Sequence, residues 1–162
     1  MPNKTLEYTR SNAFSIYCPK IPLLNQVSTS FSPPSLDTSP VGVKYQGSRI
    51  PIDSNSLEFS PITFEVNIDL EQQIVLQIYE VMNLMNGNEE IYAKNEVIAI
   101  EEYKFDLTVS FLKDGINKDG ALYQFFGCVI DNFQLNPLIR GSNELLTGSL
   151  TMSFDYLKII NG

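Results

Sequence analysis

The feature that most constrains the fold is a change of hydrophobic period within residues 62–85. From Ile62 to Asp69, apolar and polar residues alternate, and one face carries Phe64, Val66 and Ile68. A period of two is typical of a strand that lies between two different environments. The apolar residues then recur at three- and four-residue steps, which predicts an amphipathic helix with a face formed by Leu70, Ile74, Ile78, Val81, Met82 and Met85. One strand therefore runs directly into one helix.

The predicted helix has signals at both ends. Asp69 stands where an N-cap belongs, Gln72 follows three positions later, and Glu71 suits the positive end of the helix dipole. Asn86 and Gly87 are expected to end the helix. Its apolar arc is wider than one sheet face needs, which leaves a surplus for a neighbour, carried by Val75, Leu76 and Tyr79.

Most of the remaining chain has the pattern of short strands. Pro22 is expected to break any helix between the first two strands, and Gly127 is expected to form a bend or bulge. Residues 41–52 alternate on both sides of Gln46-Gly47, which predicts a hairpin. The expected strands are Ala13–Lys20, Gln26–Phe31, Ile62–Asp69, Glu96–Ile100, Tyr103–Phe111, Ala121–Phe126, Val129–Leu135 and Ser149–Tyr156. The chain is therefore expected to be mainly β with a single helix.

The composition fits one globular domain over residues 1–162, with 43% hydrophobic and 19% charged residues. No apolar run approaches the ~20 residues of a membrane span, and no signal-peptide core precedes the first strand. The formal net charge of −8 argues against binding the outside of nucleic acid, which depends on neutralising phosphates. We expect no membrane partner and no specific binding of DNA.

The sequence offers little chemistry. It contains no histidine, so the usual general base and the Ser-His-Asp arrangement are both missing. Cys18 and Cys128 match no metal-ligand spacing and read as two buried thiols, with a disulfide left open. The segment "DGINKDG" lacks the ligands of a calcium loop. We therefore expect no enzyme activity, no metal and no cofactor.

Taken in order, these features resemble the tail tube proteins of tailed bacteriophages, especially those with contractile tails. The segments that carry the resemblance are "NAFSIYCPKIPLL", "PPSLDTSPVGVKYQGSRIPIDSNSLEFSPITFEVNIDLEQQIVLQIYEVM", "YQFFGCVIDNFQLNPL" and "GSLTMSFDYLKI". The type VI secretion tube protein is similar. One departure is the absence of tryptophan, which often stands near the end of the family's helix; Met82 and Met85 are expected to fill that space.

The resemblance implies a β-sandwich or barrel with one flanking α-helix. It implies homo-hexameric rings that stack into a tube, with tail sheath, baseplate and tape-measure proteins as partners. DNA would pass through the lumen during ejection. The location implied is the virion tail, assembled in the cytoplasm of a bacterial host.

Three sets of site residues follow as hypotheses. The inter-ring contact is expected at Val43, Tyr45, Ile50 and Ile52. The inter-subunit helix face is expected at Val75, Leu76 and Tyr79. A polar, net acidic lumen is expected at Glu65, Asn67, Asp106 and Asp155, with Thr108, Ser110, Thr151 and Ser153 as further candidates.

Two alternatives remain open. The missing tryptophan allows a tube-initiator or tube-terminator ring of the same tail. A different class, a monomeric β-sandwich that binds a sugar or peptide, predicts a monomer at high concentration and a concave patch of aromatic residues.

Overall fold

The structure, a computed structural model, describes residues 13–38, 41–45, 48–52, 57–86, 104–113 and 118–161. It contains two helices, α1 (Leu24–Val27) and α2 (Gln73–Asn86). The strands are β1 (Phe14–Tyr17), β2 (Ser28–Ser32), β3 (Leu36–Thr38), β4 (Val41–Tyr45), β5 (Ser48–Ile52), β6 (Leu57–Phe59), β7 (Ile62–Asn67), β8 (Phe105–Lys113), β9 (Lys118–Leu135), β10 (Thr147–Ser153) and β11 (Tyr156–Ile160). The mainly β prediction with one substantial helix is confirmed.

Seven strands form one antiparallel sheet that curls around the core. Its path runs β1-β8-β9-β10-β7-β2, and β11 pairs with β9 beside β10. The two ends of this path lie close together: the ring centroids of Phe14 on β1 and Phe31 on β2 are 6.5 Å apart. The sheet is therefore a partly open barrel, with a seam between β1 and β2.

Strand β9 belongs to both halves of the barrel. Its first half pairs with β8 and β11, and its second half pairs with β10. Gly127 lies at the transition with φ +66, a left-handed conformation that favours glycine. The predicted bend at Gly127 is confirmed, although the two strands expected on either side of it form one continuous strand.

An aromatic cluster joins the two halves across the core. The ring of Phe31 stacks on Phe64 at 5.0 Å and meets Phe125 edge-on at 6.1 Å. Phe154 also meets Phe125 edge-on, at 4.9 Å. Phe64 and Phe125 are fully buried, so this cluster adds apolar burial to the backbone ladders that join the strands.

Helix α2 begins later than its hydrophobic spacing predicts. Leu70, expected on the apolar face, is fully exposed, and the helix starts at Gln73. The reason is local: Gln72 has φ 53, outside the helical region, while the Asp69 carboxylate accepts hydrogen bonds from the backbone N–H groups of Gln73 and Ile74 at 3.1 and 3.4 Å. Asp69 therefore caps the helix as predicted, but across a turn, and Gln72 and Glu71 precede the helix instead of forming its first turn.

Two further predictions are wrong. Pro22 does not prevent a helix, because α1 begins two residues after it, where a proline ring obstructs no helical hydrogen bond. The last strand is broken at Phe154-Asp155 into β10 and β11, which pair with the two different halves of β9. The expected strand Glu96–Ile100 and the helix stop at Gly87 lie outside the described residues.

Candidate assembly surfaces

The outer face of the half-barrel formed by β2, β7, β10 and the second half of β9 is polar. On β7 and β10 buried and half-buried residues alternate, so every second side chain points away from the core. Glu65 lies opposite Ser149, whose hydroxyl bonds to its carboxylate, and Thr63 lies opposite Thr151. We call this surface the polar face; it comprises one apolar residue, Val129, and the polar residues Ser30, Ser32, Thr63, Glu65, Asn67, Asp131, Asn132, Gln134, Thr147, Ser149, Thr151 and Ser153.

The polar face carries two acidic residues, Glu65 and Asp131, and none of its members is Lys or Arg. Sequence reasoning missed Asp131. A register shift opposite Thr151/Met152 adds one residue to β9, so that Asp131 and Asn132 both face outward, and the Ser153 hydroxyl bonds to the Asp131 carboxylate. The sequence did contain a signal for the extra residue. Ile130 and Phe133 both point inward but lie three positions apart, whereas a regular strand spaces inward residues by two.

Two predicted lumen residues lie elsewhere, at the corner around Gly127. Asp106 accepts a hydrogen bond from the Gly127 backbone N–H at 3.2 Å. Asp155 forms an ion pair with Lys104 at 2.8 Å, and its backbone N–H donates to the carbonyl of Phe126. The structure thus brings Glu65 and Asn67 together on the polar face, and Asp106 and Asp155 together at the corner, but it does not join these two groups.

The outward side of α2 exposes large apolar side chains. Ile74, Ile78 and Val81 are buried in the core. Leu76 and Tyr79 are more than half exposed, whereas Val75 is half-buried and packs against the core. The surplus predicted for this helix is therefore present, and it consists chiefly of Leu76 and Tyr79.

The predicted hairpin is confirmed in its backbone. Strands β4 and β5 are antiparallel, with Val43 opposite Ile50 and Lys44 opposite Arg49. Strands β3 and β6 form a second short ladder that leads into and out of the hairpin. The side chains of the inter-ring candidates Val43, Tyr45, Ile50 and Ile52 lie outside the described part of the structure.

The seam between β1 and β2 is a groove of about 510 Å³. Phe14, Phe31 and Phe111 supply its apolar lining. The Asn25 side chain bridges to β1 by accepting the backbone N–H of Ile16 at 2.8 Å. This groove is the place where a ligand of a monomeric binding module would be sought.

Both cysteines are free and buried. Burial raises the pKa of the Cys18 thiol to about 11 and that of Cys128 to about 12, so both thiols are protonated at neutral pH. Among the described residues, no group of His, Cys, Asp and Glu is arranged to hold a metal ion. No helix in the described ranges is long and apolar enough to cross a membrane.

No family model matches the sequence, and no curated protein matches it. A chain of the anti-feeding prophage cap, described as a tube terminating cap, superposes with a TM-score of 0.71 and 13% identity, covering 99% of this chain and 96% of that one. A chain of the anti-feeding prophage baseplate gives 0.68 and 11%, covering 98% and 97%.

A chain of the sheath-tube complex of the extracellular contractile injection system PVC, in the extended state, gives a TM-score of 0.67 and 12% identity, covering 96% of this chain and 93% of that one. At identities this low, the superpositions establish the fold and nothing further. The chain therefore has the fold of these tube and cap proteins of contractile injection systems, which is the fold that the resemblance implied.

Proposed function

We propose that the protein is a structural subunit of a phage tail tube, forming stacked hexameric rings whose lumen conducts DNA during ejection. The observation that carries the proposal is the match over 99% of this chain and 96% of a tube-terminating cap chain. A match of this extent supports a role that uses the whole fold rather than one part of it. The tail sheath, baseplate and tape-measure protein are the partners, and the virion tail, assembled in the host cytoplasm, is the location.

A terminator or initiator ring of the same tail is the second candidate. It is favoured by the kinds of structure that this chain superposes on, which include a tube-terminating cap and a baseplate. A tube-body subunit polymerises without limit, whereas an end ring stops at one or two layers. The length of the assembled particles distinguishes the two.

The polar face is the proposed wall of the lumen. Phosphates bind wherever Lys or Arg neutralise them, and this face offers hydroxyls, amides and two carboxylates instead. Glu65 and Asn67 are the predicted lumen residues that lie on it, and Asp131 joins them. A wall with the same sign of charge as DNA offers no sites that bind phosphate. Its repulsion of DNA is small, because salt screens charges over about 8–10 Å in a wet channel.

Negative-stain electron microscopy of the purified protein over a concentration series tests the proposal. Rings with six-fold symmetry, and tubes or short stacks built from them, are expected. A protein that stays monomeric at every concentration, with its seam occupied by a sugar or peptide, would instead support the binding module.

Deletion of Lys44 to Arg49 tests the role of the hairpin. Because these residues lie within a separate two-stranded sheet, removing them is expected to spare the barrel. Rings should still form, and stacking should stop. Long tubes from the deleted protein would contradict the inter-ring assignment.

Charge reversal tests the lumen. Glu65→Lys with Asp131→Lys should leave tubes assembled and slow genome delivery in a salt-dependent manner. The matched control is the paired reversal Asp106→Lys with Asp155→Lys at the corner. If the first pair of reversals leaves the delivery rate unchanged and the second pair lowers it, the lumen wall is at the corner and not at the polar face.

A further inference from the structure

The seam between β1 and β2 exposes a strand edge, and the β1–β8 ladder shows which backbone groups lie on it. The N–H of Leu112 on β8 donates to the carbonyl of Ala13 at 3.0 Å. In an antiparallel ladder, successive residue pairs alternate between bonded and non-bonded positions. Ala13 and Ser15 therefore direct their backbone groups toward β8, whereas Phe14 and Ile16 direct theirs toward the seam.

An edge of this kind is a hazard for a soluble protein. A row of backbone donors and acceptors is a template on which a strand of another chain can pair. The groove beside it adds apolar surface from Phe14, Phe31 and Phe111. An extended segment with alternating apolar residues, such as the strands of this chain provide, would gain both backbone hydrogen bonds and side-chain burial there.

The side chain of Asn25 occupies this edge. Its Oδ1 atom accepts a hydrogen bond from the Ile16 N–H at 2.8 Å, which is the bond that the carbonyl of an added strand would make. The hydroxyl of Ser15 donates to the same oxygen at 3.4 Å. A side-chain amide oxygen is the same kind of acceptor as a peptide carbonyl, so Asn25 takes the place of a strand without offering a new edge.

The short helix α1 holds Asn25 in this position. Ile21 and Leu24 are fully buried, so the turn is anchored in the core on its inner side. The backbone N–H of Leu23 donates to the Oε1 atom of Gln77 on α2 at 3.4 Å. The exposed side of the same turn therefore carries Asn25 across the edge of β1 at a fixed place.

The opposite edge of the seam is protected by different means. The β2–β7 register shifts around Thr29, whose hydroxyl donates to the carbonyl of Glu65 at 3.2 Å. Pro33 and Pro34 follow β2 directly, and proline has no N–H to offer to a strand. Bulges and prolines both keep natural strand edges from pairing. Independent protection of the two edges indicates that the seam stays closed to strands.

We infer that Asn25, carried by α1, is a plug on the β1 edge of the seam that excludes the strands of other copies of this chain. Without the plug, copies pair edge to edge at the seam and form irregular aggregates. The plug acts within one copy, so it goes beyond the proposed tube function and operates whether or not the copies assemble into rings. It leaves them to associate through other surfaces.

Amide hydrogen exchange tests the plug at the bond itself. Asn25→Ala removes the acceptor, so exchange at the Ile16 N–H should become about tenfold faster, whereas Asn25→Asp keeps an oxygen there and should retain the protection. Gln26→Ala, on the exposed side of the same turn, is the matched control and should change nothing. The N–H of Leu150, on a strand that is paired on both sides, is the internal reference. Equal acceleration at Ile16 and Leu150 would mean that Asn25 stabilises the whole barrel, and the plug would be wrong.

Thioflavin T fluorescence tests the exclusion of strands, because this dye reports stacked β-structure. Asn25→Ala should form dye-positive aggregates within a period in which the wild type and Asn25→Asp form none. Gly141→Ala controls for general destabilisation, since a side chain at its φ of +81 costs stability outside the seam, and it should stay free of aggregates. If Gly141→Ala aggregates as fast as Asn25→Ala, or if Asn25→Ala does not aggregate although its Ile16 N–H exchanges faster, Asn25 does not exclude strands and the inference is overturned.

Discussion

Gly127 offers the sharpest test of the barrel, because its φ of +66 and its surroundings both exclude a side chain. A Cβ at this position would lie 2.2 Å from the Asp155 Oδ2 atom and 2.8 Å from its Cγ. The Asp155 side chain must therefore rotate away, which breaks its 2.8 Å ion pair with Lys104. Gly127→Ala is expected to lower the free energy of unfolding.

The magnitude follows from two contributions. An L-residue in the left-handed region costs about 1–2 kcal/mol. Loss of a surface ion pair costs at most about 1 kcal/mol, because both partners remain in contact with water. Gly127→Ala should therefore cost about 2 kcal/mol. Urea denaturation at a fixed protein concentration measures this as a lower midpoint with an unchanged slope.

The chain contains a matched control. Gly141 has φ +81, but a Cβ there would meet no atom within 4 Å. Gly141→Ala should therefore show the backbone cost alone, about 1–2 kcal/mol. Gly127→Ala combined with Asp155→Ala should recover part of the difference, since the obstructing carboxylate is gone. If Gly127→Ala is no more destabilising than Gly141→Ala, the proposed steric role of Asp155 is wrong.

Three further outcomes are expected. The backbone N–H of Gln73 holds the pKa of the Asp69 carboxyl below its ordinary value. The stability that this hydrogen bond confers is therefore complete above roughly pH 4 and is lost as the pH falls through the lowered pKa. Asp69→Asn should remove this part of the acid dependence of unfolding. The raised pKa values of the two buried thiols predict the opposite pH dependence of stability: their contribution is complete below roughly pH 8.5 and falls as the pH rises toward 11. Thiol labelling at pH 8 should therefore be slow in the folded protein and fast in urea. Phe64→Ala should cost about 3–5 kcal/mol in urea denaturation, because it empties a fully buried site between Phe31 and the core.

The parts of the fold that could be predicted from the sequence are those set by periodicity. The alternation of β7 and the spacing of Ile74, Ile78 and Val81 in α2 both match the burial in the structure. The pairing of β4 with β5 was predicted because two alternating segments flank Gln46-Gly47, and the ladder pairs Tyr45 with Ser48. In each case the residues concerned are neighbours in the chain.

The errors arose where hydrogen bonds or distant packing override periodicity. Leu70 has helical spacing, yet the bonds from Gln73 and Ile74 to the Asp69 carboxylate start the helix beyond it. Phe154 continues the alternation of β10, but the chain must turn there to follow β9 from one half of the barrel to the other. Whether Glu65 and Asp106 share a surface depended on the path of the whole sheet, which no local pattern contains.

The position of α2 explains why a chain built mostly of strands includes one long helix. Its inner face supplies Ile74, Ile78 and Val81 to the core, which covers apolar sheet surface that the strands alone would leave exposed. Its outer face then presents Leu76 and Tyr79 to solvent. A monomer gains nothing from this exposure, whereas the proposed ring would bury both side chains against the adjacent subunit. In a tube built as proposed, α2 therefore acts on both sides, closing the barrel within one subunit and joining that subunit to the next, while the polar face is left clear for the channel.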